Sequence, residues 1–187
     1  MRKLFILGLA TFAAGSFIAY GDIIPTLTSV TGSAPNFSWN YSANVTVDET
    51  VNHNDFFTIY DFSSIMPTTT TQPAGWTFST ALLGPTPGLV NPTDNANMWN
   101  LTWTYTGTTA IPGAAALGTF SAVTSTDQLK MGQFTAEATR SGAPANTKID
   151  NIGNVSVPVP ESTSLLPLIG VVGAALFFAP RLRRQRA

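Results

Sequence analysis

Residues Asn36 to Asp48 alternate almost without a break. Phe37, Trp39, Tyr41, Ala43, Val45 and Val47 fall on one side, and Asn36, Ser38, Asn40, Ser42, Asn44, Thr46 and Asp48 on the other. A period of two sends successive side chains to opposite faces of an extended chain, so the segment predicts a strand with one buried and one solvated face. That is the habit of antiparallel sheets. Met98 to Thr106 repeats the pattern, with Trp99, Leu101, Trp103 and Tyr105 set against Asn100, Thr102, Thr104 and Thr106. Further strand candidates, rich in Thr, Val and aromatics, lie at 26–31, 56–62, 75–82, 116–123, 131–139 and 148–157.

Clusters of Gly, Pro, Asn and Ser separate these runs, at 32–35, 52–55, 67–73, 84–88, 112–113 and 141–144. No convincing helical period occurs outside the two termini. Strands at such spacing predict an all-β chain, an antiparallel β-sandwich of immunoglobulin-like or jelly-roll arrangement. With no cysteine in the chain, disulfides, thiolate metal sites and a cysteine nucleophile are excluded. The sandwich must then be held by its aromatic core.

Charge is sparse and unevenly placed. Arg2 and Lys3 open the chain and Arg181, Arg183, Arg184 and Arg186 close it, leaving only Lys130, Arg140 and Lys148 between them. Against those three bases, the segment 22–160 carries nine acids, a net charge of −6. An acidic middle argues against nucleic acid as a partner.

The N-terminus reads as a secretory signal peptide over 1–21. Arg2-Lys3 is followed by an apolar run from Leu4 to Ala14, and the small residues Ala19 and Gly21 mark a cleavage site for signal peptidase. The C-terminus has three parts. An extended, proline-punctuated stretch (158–164) leads into 15 uncharged residues from Leu165 to Ala179, and Pro180 and the arginine cluster follow. A 15-residue helix rises about 22 Å, so a transmembrane helix over 165–180 spans the bilayer only with flanking residues and snorkelling arginines recruited. The positive-inside rule keeps the arginines of 181–187 cytoplasmic and places the folded part outside. These features predict a sandwich domain over 22–157, flanked by a signal helix and a transmembrane helix.

The tail resembles the PEP-CTERM sorting signal, in which a Pro-Glu-Pro-type motif precedes a short membrane helix and a terminal arginine cluster. The matching motif positions are Val159, Pro160, Glu161, Ser162 and Thr163. One departure is that Ser162 stands where the family has its second proline, with an extra proline upstream at Pro158. The resemblance implies processing by an exosortase, a membrane transpeptidase, with the domain then released or transferred to the cell surface. The middle of the chain is also similar to an ectodomain that recurs among PEP-CTERM proteins. The similarity rests on Asp55 to Phe62, Pro73-Ala74-Gly75-Trp76, Leu101 to Gly107, Leu117 to Ser121 and Asn151 to Val155. No activity is implied by it.

Little in the chain suggests catalysis. A Ser-His-Asp site needs a histidine beside its nucleophile, and the only histidine, His53, sits in the turn Asn52-His53-Asn54-Asp55. There is no Gly-x-Ser-x-Gly elbow. Asp48, Glu49, Asp55 and Asp61 are candidates for a glycosidase carboxylate pair, but scattered acids read more simply as turn and edge residues. One histidine and no cysteine exclude the usual zinc sites. The oxygen-rich loop Asp94-Asn95-Ala96-Asn97 lacks the spacing and the glycine of a calcium loop. No metal, cofactor or enzymatic role is therefore expected.

Trp99 and Trp103 share a strand face about 13 Å apart, a spacing that fits a sugar-stacking platform. Core packing is the competing reading, supported by Leu101 between them. Five Asn-x-Ser/Thr triplets, starting at Asn36, Asn40, Asn44, Asn100 and Asn154, follow from polar strand faces built of Asn, Ser and Thr. The expectation is an exported cell-surface or extracellular-matrix protein. The alternative is a module binding the producer's own exopolysaccharide, and a secreted hydrolase stands behind both.

Overall fold

The computed structural model describes residues 22–160. Eleven strands appear in chain order: β1 (Ile23–Ser33), β2 (Asn36–Val45), β3 (Glu49–Val51), β4 (Phe56–Ser63), β5 (Thr70–Thr71), β6 (Trp76–Ala81), β7 (Trp99–Tyr105), β8 (Ile111–Pro112), β9 (Ala115–Thr124), β10 (Leu129–Arg140) and β11 (Lys148–Pro158). They form two antiparallel sheets in a β-sandwich-like arrangement, one ordered β1-β2-β9-β5 and the other β6-β7-β4-β10-β3-β8 with β11 beside β10. Among the described residues there is no helix, and none long and apolar enough to cross a membrane. The expected signal helix and transmembrane helix lie outside the described residues.

β2 follows its alternation. Trp39, Tyr41, Ala43 and Val45 are buried between the sheets, while Ser38, Asn40 and Ser42 take the other face. The expected inward position of Val47 is not found: it is 68% exposed. The strand ends at Val45, and the chain turns back through a bond from Glu49 N–H to the Thr46 carbonyl, 3.4 Å, so the period of two no longer governs. The Thr46 hydroxyl also donates to the Glu49 carboxylate.

β4 breaks its own alternation usefully. Phe57 and Ile59 face the core, and strict alternation would then turn Asp61 inward and Phe62 outward. A register shift against β7 between Ile59 and Ser63, four steps of β4 against two of β7 with Asp61 at φ 52°, places two extra residues in β4 and interrupts the alternation. Phe62 thereby returns to the core and meets Trp39 of the opposite sheet edge-on at 6.0 Å. The centre of the core is a cluster of rings from both sheets, in which Phe57 contacts Phe120 at 5.0 Å and Trp103 at 5.2 Å. Trp76 packs against Phe120 at 5.1 Å. Offset and edge-on contacts of this kind add roughly 0.5–1.5 kcal/mol per pair beyond burial.

β10 joins the pieces of the larger sheet. One edge pairs with β11 from Leu129↔Pro158 to Thr139↔Lys148. Its other edge pairs with β4 through Phe134–Glu137 and then with β3 at Thr139 and Arg140.

Candidate functional site

The outer face of the larger sheet is not simply solvated. Thr58 and Tyr60 on β4, Asn100 and Thr102 on β7 and Thr135 on β10 are all buried, although they point away from the aromatic core. The segment between β6 and β7 covers them. The Thr58 hydroxyl donates to the Pro85 carbonyl at 3.2 Å and the Tyr60 hydroxyl to the same carbonyl at 2.8 Å. The Asn100 amide donates to the Asp94 carboxylate at 2.8 Å, whose other oxygen accepts the Gly84 N–H at 3.0 Å. Gly84 is required by close approach, since a Cβ there would meet Thr58 Cγ2 at 2.9 Å. Burial raises the pKa of Tyr60, although hydrogen bonds from Thr135 and Thr86 work against the rise.

This strap decides the fate of the oxygen-rich loop. Both Asp94 oxygens accept hydrogen bonds, and the Asn95 N–H donates to the Asp61 carboxylate at 2.9 Å. The loop's donors and acceptors fasten the strap to the sheet.

At one end of the same sheet lies a charged cluster. Asp55 is fully buried and accepts from the Asn52 N–H at 2.7 Å and from the Thr139 hydroxyl at 3.1 Å. Lys148 completes the set, ion-paired to Asp55 and, at 3.3 Å, to Glu137. Burial works against the lysine's charge, but the two carboxylates outweigh it and hold its pKa above the ordinary value. Beside the cluster a half-open cavity of about 480 Å³ is lined by Leu89, Arg140, Thr147, Lys148 and Asp150 among others.

Asp22 belongs to this neighbourhood and is harder to account for. It is fully buried, and its Oδ1 accepts the Ile23 N–H at 2.6 Å, while Oδ2 has no partner among the described residues. Desolvation is the main cause of a pKa pushed up to about 8. The Ile23 N–H opposes it, and the nearby charges of Glu49, Asp55 and Asp150 add to it.

The other expected site residues fall as follows. Trp103 is fully buried, stacked on Phe57 with 26° between the ring planes, and Trp99 is half-buried. The proposed pair of sugar-stacking faces is therefore not formed, because Trp103 packs between the sheets with Leu101. His53 is exposed in its turn. Among Asp48, Glu49, Asp55 and Asp61, the structure commits three to internal roles. Glu49 accepts from Thr46, Asp55 holds Lys148, and Asp61 caps the bulge by accepting from Asn95. Among the described residues no group of three or more His, Asp or Glu is placed to hold a metal ion.

Of the expected sorting motif, Val159 and Pro160 are described. The Val159 N–H donates to the Gln128 carbonyl at 2.7 Å, one step beyond the Pro158↔Leu129 pair, so the motif starts where the β10–β11 ladder stops. Glu161, Ser162 and Thr163 lie outside the described residues, as do Arg181, Arg183, Arg184, Arg186, Ala19 and Gly21. The strap and the buried Asp22 were missed by sequence reasoning. Only the unusual run of asparagines and prolines between β6 and β7 hinted at the first, and nothing hinted at the second. Compared with known proteins, the chain matches no family model and no curated protein.

Proposed function

We propose that the chain is an exported cell-surface or extracellular-matrix protein, without enzymatic activity, delivered by a PEP-CTERM-type sorting tail. The observation that carries this reading is the order of parts after the last strand. The motif Val159 to Thr163 follows β11 directly, then come the apolar run Leu165 to Ala179 and the arginines Arg181 to Arg186. In this reading Pro158 and Pro160 keep the motif extended, the apolar run holds it at the membrane, and the arginines fix its orientation. The partners are signal peptidase, which removes 1–21, and an exosortase-like transpeptidase, which reads the motif. The two sheets of 22–157 then form a sandwich of immunoglobulin-like or jelly-roll kind outside the cytoplasmic membrane.

The test is a truncation ahead of Glu161 in the producing cell. It should convert a membrane-retained, later-processed protein into one secreted directly. Unchanged fractionation and unchanged processing would sink the sorting reading. Binding of exopolysaccharide is the weaker reading, because the tryptophan pair that motivated it is not displayed.

A further inference from the structure

A fully buried aspartate with one oxygen unpartnered demands an explanation, since burying an unpaired carboxylate is costly. The surroundings of Asp22 make matters worse. Glu49 on β3, Asp55 before β4 and Asp150 on β11 all act on it with like charge. Lys148 is already bound to Asp55 and Glu137, Arg140 pairs in register with Glu49, and neither is among the charges that act on Asp22. Asp150 in turn accepts the Leu89 N–H at 2.7 Å. The described residues thus supply Asp22 with a backbone N–H and no positive charge.

Its position in the chain is the second observation. Asp22 directly follows Ala19-Tyr20-Gly21, the small-x-small cleavage signal. We propose that the α-ammonium created by cleavage between Gly21 and Asp22 is the counter-charge of this buried carboxylate, so that removing the leader completes the domain's electrostatics. The proposal rests on the export reading above, and specifically on a cut after Gly21.

The chemistry is that of peptide hydrolysis. Water adds across the Gly21–Asp22 bond, the Gly21 carbonyl carbon leaves with the leader as a carboxylate, and the Asp22 nitrogen becomes an ammonium. Before the cut that nitrogen is a neutral amide. Afterwards it carries a full positive charge at neutral pH. Covalent geometry alone holds it within about 4 Å of the Asp22 carboxylate, whatever the rotamer. The same charge opposes the like-charge effect that Glu49, Asp55 and Asp150 have on the Asp22 carboxylate.

The sign of the pH dependence follows. In the uncut chain the folded Asp22 holds its proton more tightly than the unfolded one, so folding takes up a proton between about pH 4 and pH 8. Stability from this group is therefore lost as pH rises through that window. The ammonium stands beside the carboxylate in the unfolded chain as well, but acts more strongly in the buried site, so it lowers the folded pKa by more than the unfolded one and reduces the loss.

The experiment uses the full chain in detergent in three forms. These are the processed protein, the processed protein selectively acetylated at its α-amine, and an uncut Ala19→Phe variant. Each is also made with Asp22→Asn, a near-isosteric change. Intact mass identifies the N-terminus and thermal midpoints are read from pH 4 to pH 8. The processed form should melt about 3–6 °C above the other two at pH 7, converge with them near pH 4, and lose its advantage with Asp22→Asn. Equal midpoints at pH 7 in a chain whose mass begins at Asp22 would overturn the pairing, as would an advantage that survives Asp22→Asn. A mass showing a different first residue would overturn the cleavage site itself, a separable failure. If calcium raised the uncut chain's midpoint more than cleavage does, the carboxylates would be a cation site and the proposal would fall.

Discussion

Trp103 lies on Phe57 with ring centroids 5.2 Å apart, and neither ring reaches solvent. The pair sits on adjacent strands, β7 and β4, in direct register, with Phe120 of the opposite sheet closing on both. Trp103→Ala should therefore cost about 3–5 kcal/mol, the usual loss for emptying a large aromatic site. Trp99→Ala, at a half-buried position, should cost less than half as much. Urea denaturation of the two variants measures the contrast, and equal losses would refute this placement of the core.

The strap offers a paired test. Asn100→Ala leaves Asp94 without its amide donor, and Asp94→Ala leaves the buried amide with only the Leu82 carbonyl, at 3.3 Å, as acceptor. Each should destabilise by about 1–3 kcal/mol. Because the two share one contact beside their separate bonds to Gly84 and Asp61, the double variant should lose less than the sum of the singles. Strict additivity in a double-mutant cycle would show the contact to be unimportant.

Glycine positions in the strap separate packing from flexibility. A Cβ at Gly84 would crowd Thr58, Asn100 and Tyr60 within 2.9–3.2 Å, whereas one at Gly88 would meet nothing within 4 Å. Gly84→Ala should lower stability by about 1–3 kcal/mol, with faster amide exchange at Thr58 and Tyr60. Gly88→Ala should stay within about 0.5 kcal/mol of the parent. The reverse ranking would mean that the strap does not rest on the sheet.

Lys148 predicts behaviour at high pH. Its folded pKa is raised above the ordinary 10.5 by Asp55 and Glu137 against the opposing effect of burial. Its contribution to stability is therefore complete below the unfolded value and is lost as pH rises through the folded one. Lys148→Met should lower stability at neutral pH, because Asp55 stays buried without its cation. It should also flatten the alkaline decline seen in the parent. Thermal melts between pH 7 and pH 11 record both effects, and an undiminished alkaline slope would contradict the pairing.

Two of the eight longer strands were visible in the sequence through a period of two, and the other six through their content of Thr, Val and aromatics. Phe37 to Val45 and Leu101 to Tyr105 carry that period openly. The short strands β3, β5 and β8, at two or three residues each, are too brief to show any period. Thr70–Thr71 lies inside a proline-bounded run that reads as a loop, and it becomes a strand only because β9 offers Ala122 and Ser121 as partners. The bulge at Asp61 was hidden for a related reason. Alternation from Phe57 and Ile59 would turn Asp61 inward, and only the distant Asn95 and Asn100 show that it resets the strand instead. Threonines and asparagines on the outer face, Thr58, Thr102 and Asn100, looked solvated because their composition suits water. What covers them comes from a segment with no pattern of its own. The burial of Asp22 was equally unreadable, since the acids that act on it there, Glu49, Asp55 and Asp150, are far from it in sequence.

The ladder between β10 and β11 has a mechanical consequence. The two strands form a hairpin whose turn lies at 141–147, and the chain leaves β11 at the opposite end, where Pro158 faces Leu129. In an antiparallel pair the bonds run across the strands, so a pull on the C-terminal tail loads the Val159–Gln128 bond first and the next pairs only after it gives. Such a join opens like a zipper rather than shearing as a block. If the tail tethers the domain, drag reaches the core at once when that bond gives, because Val157 beside the exit point is buried in it and the Ser156 carbonyl accepts the Tyr41 hydroxyl at 2.9 Å.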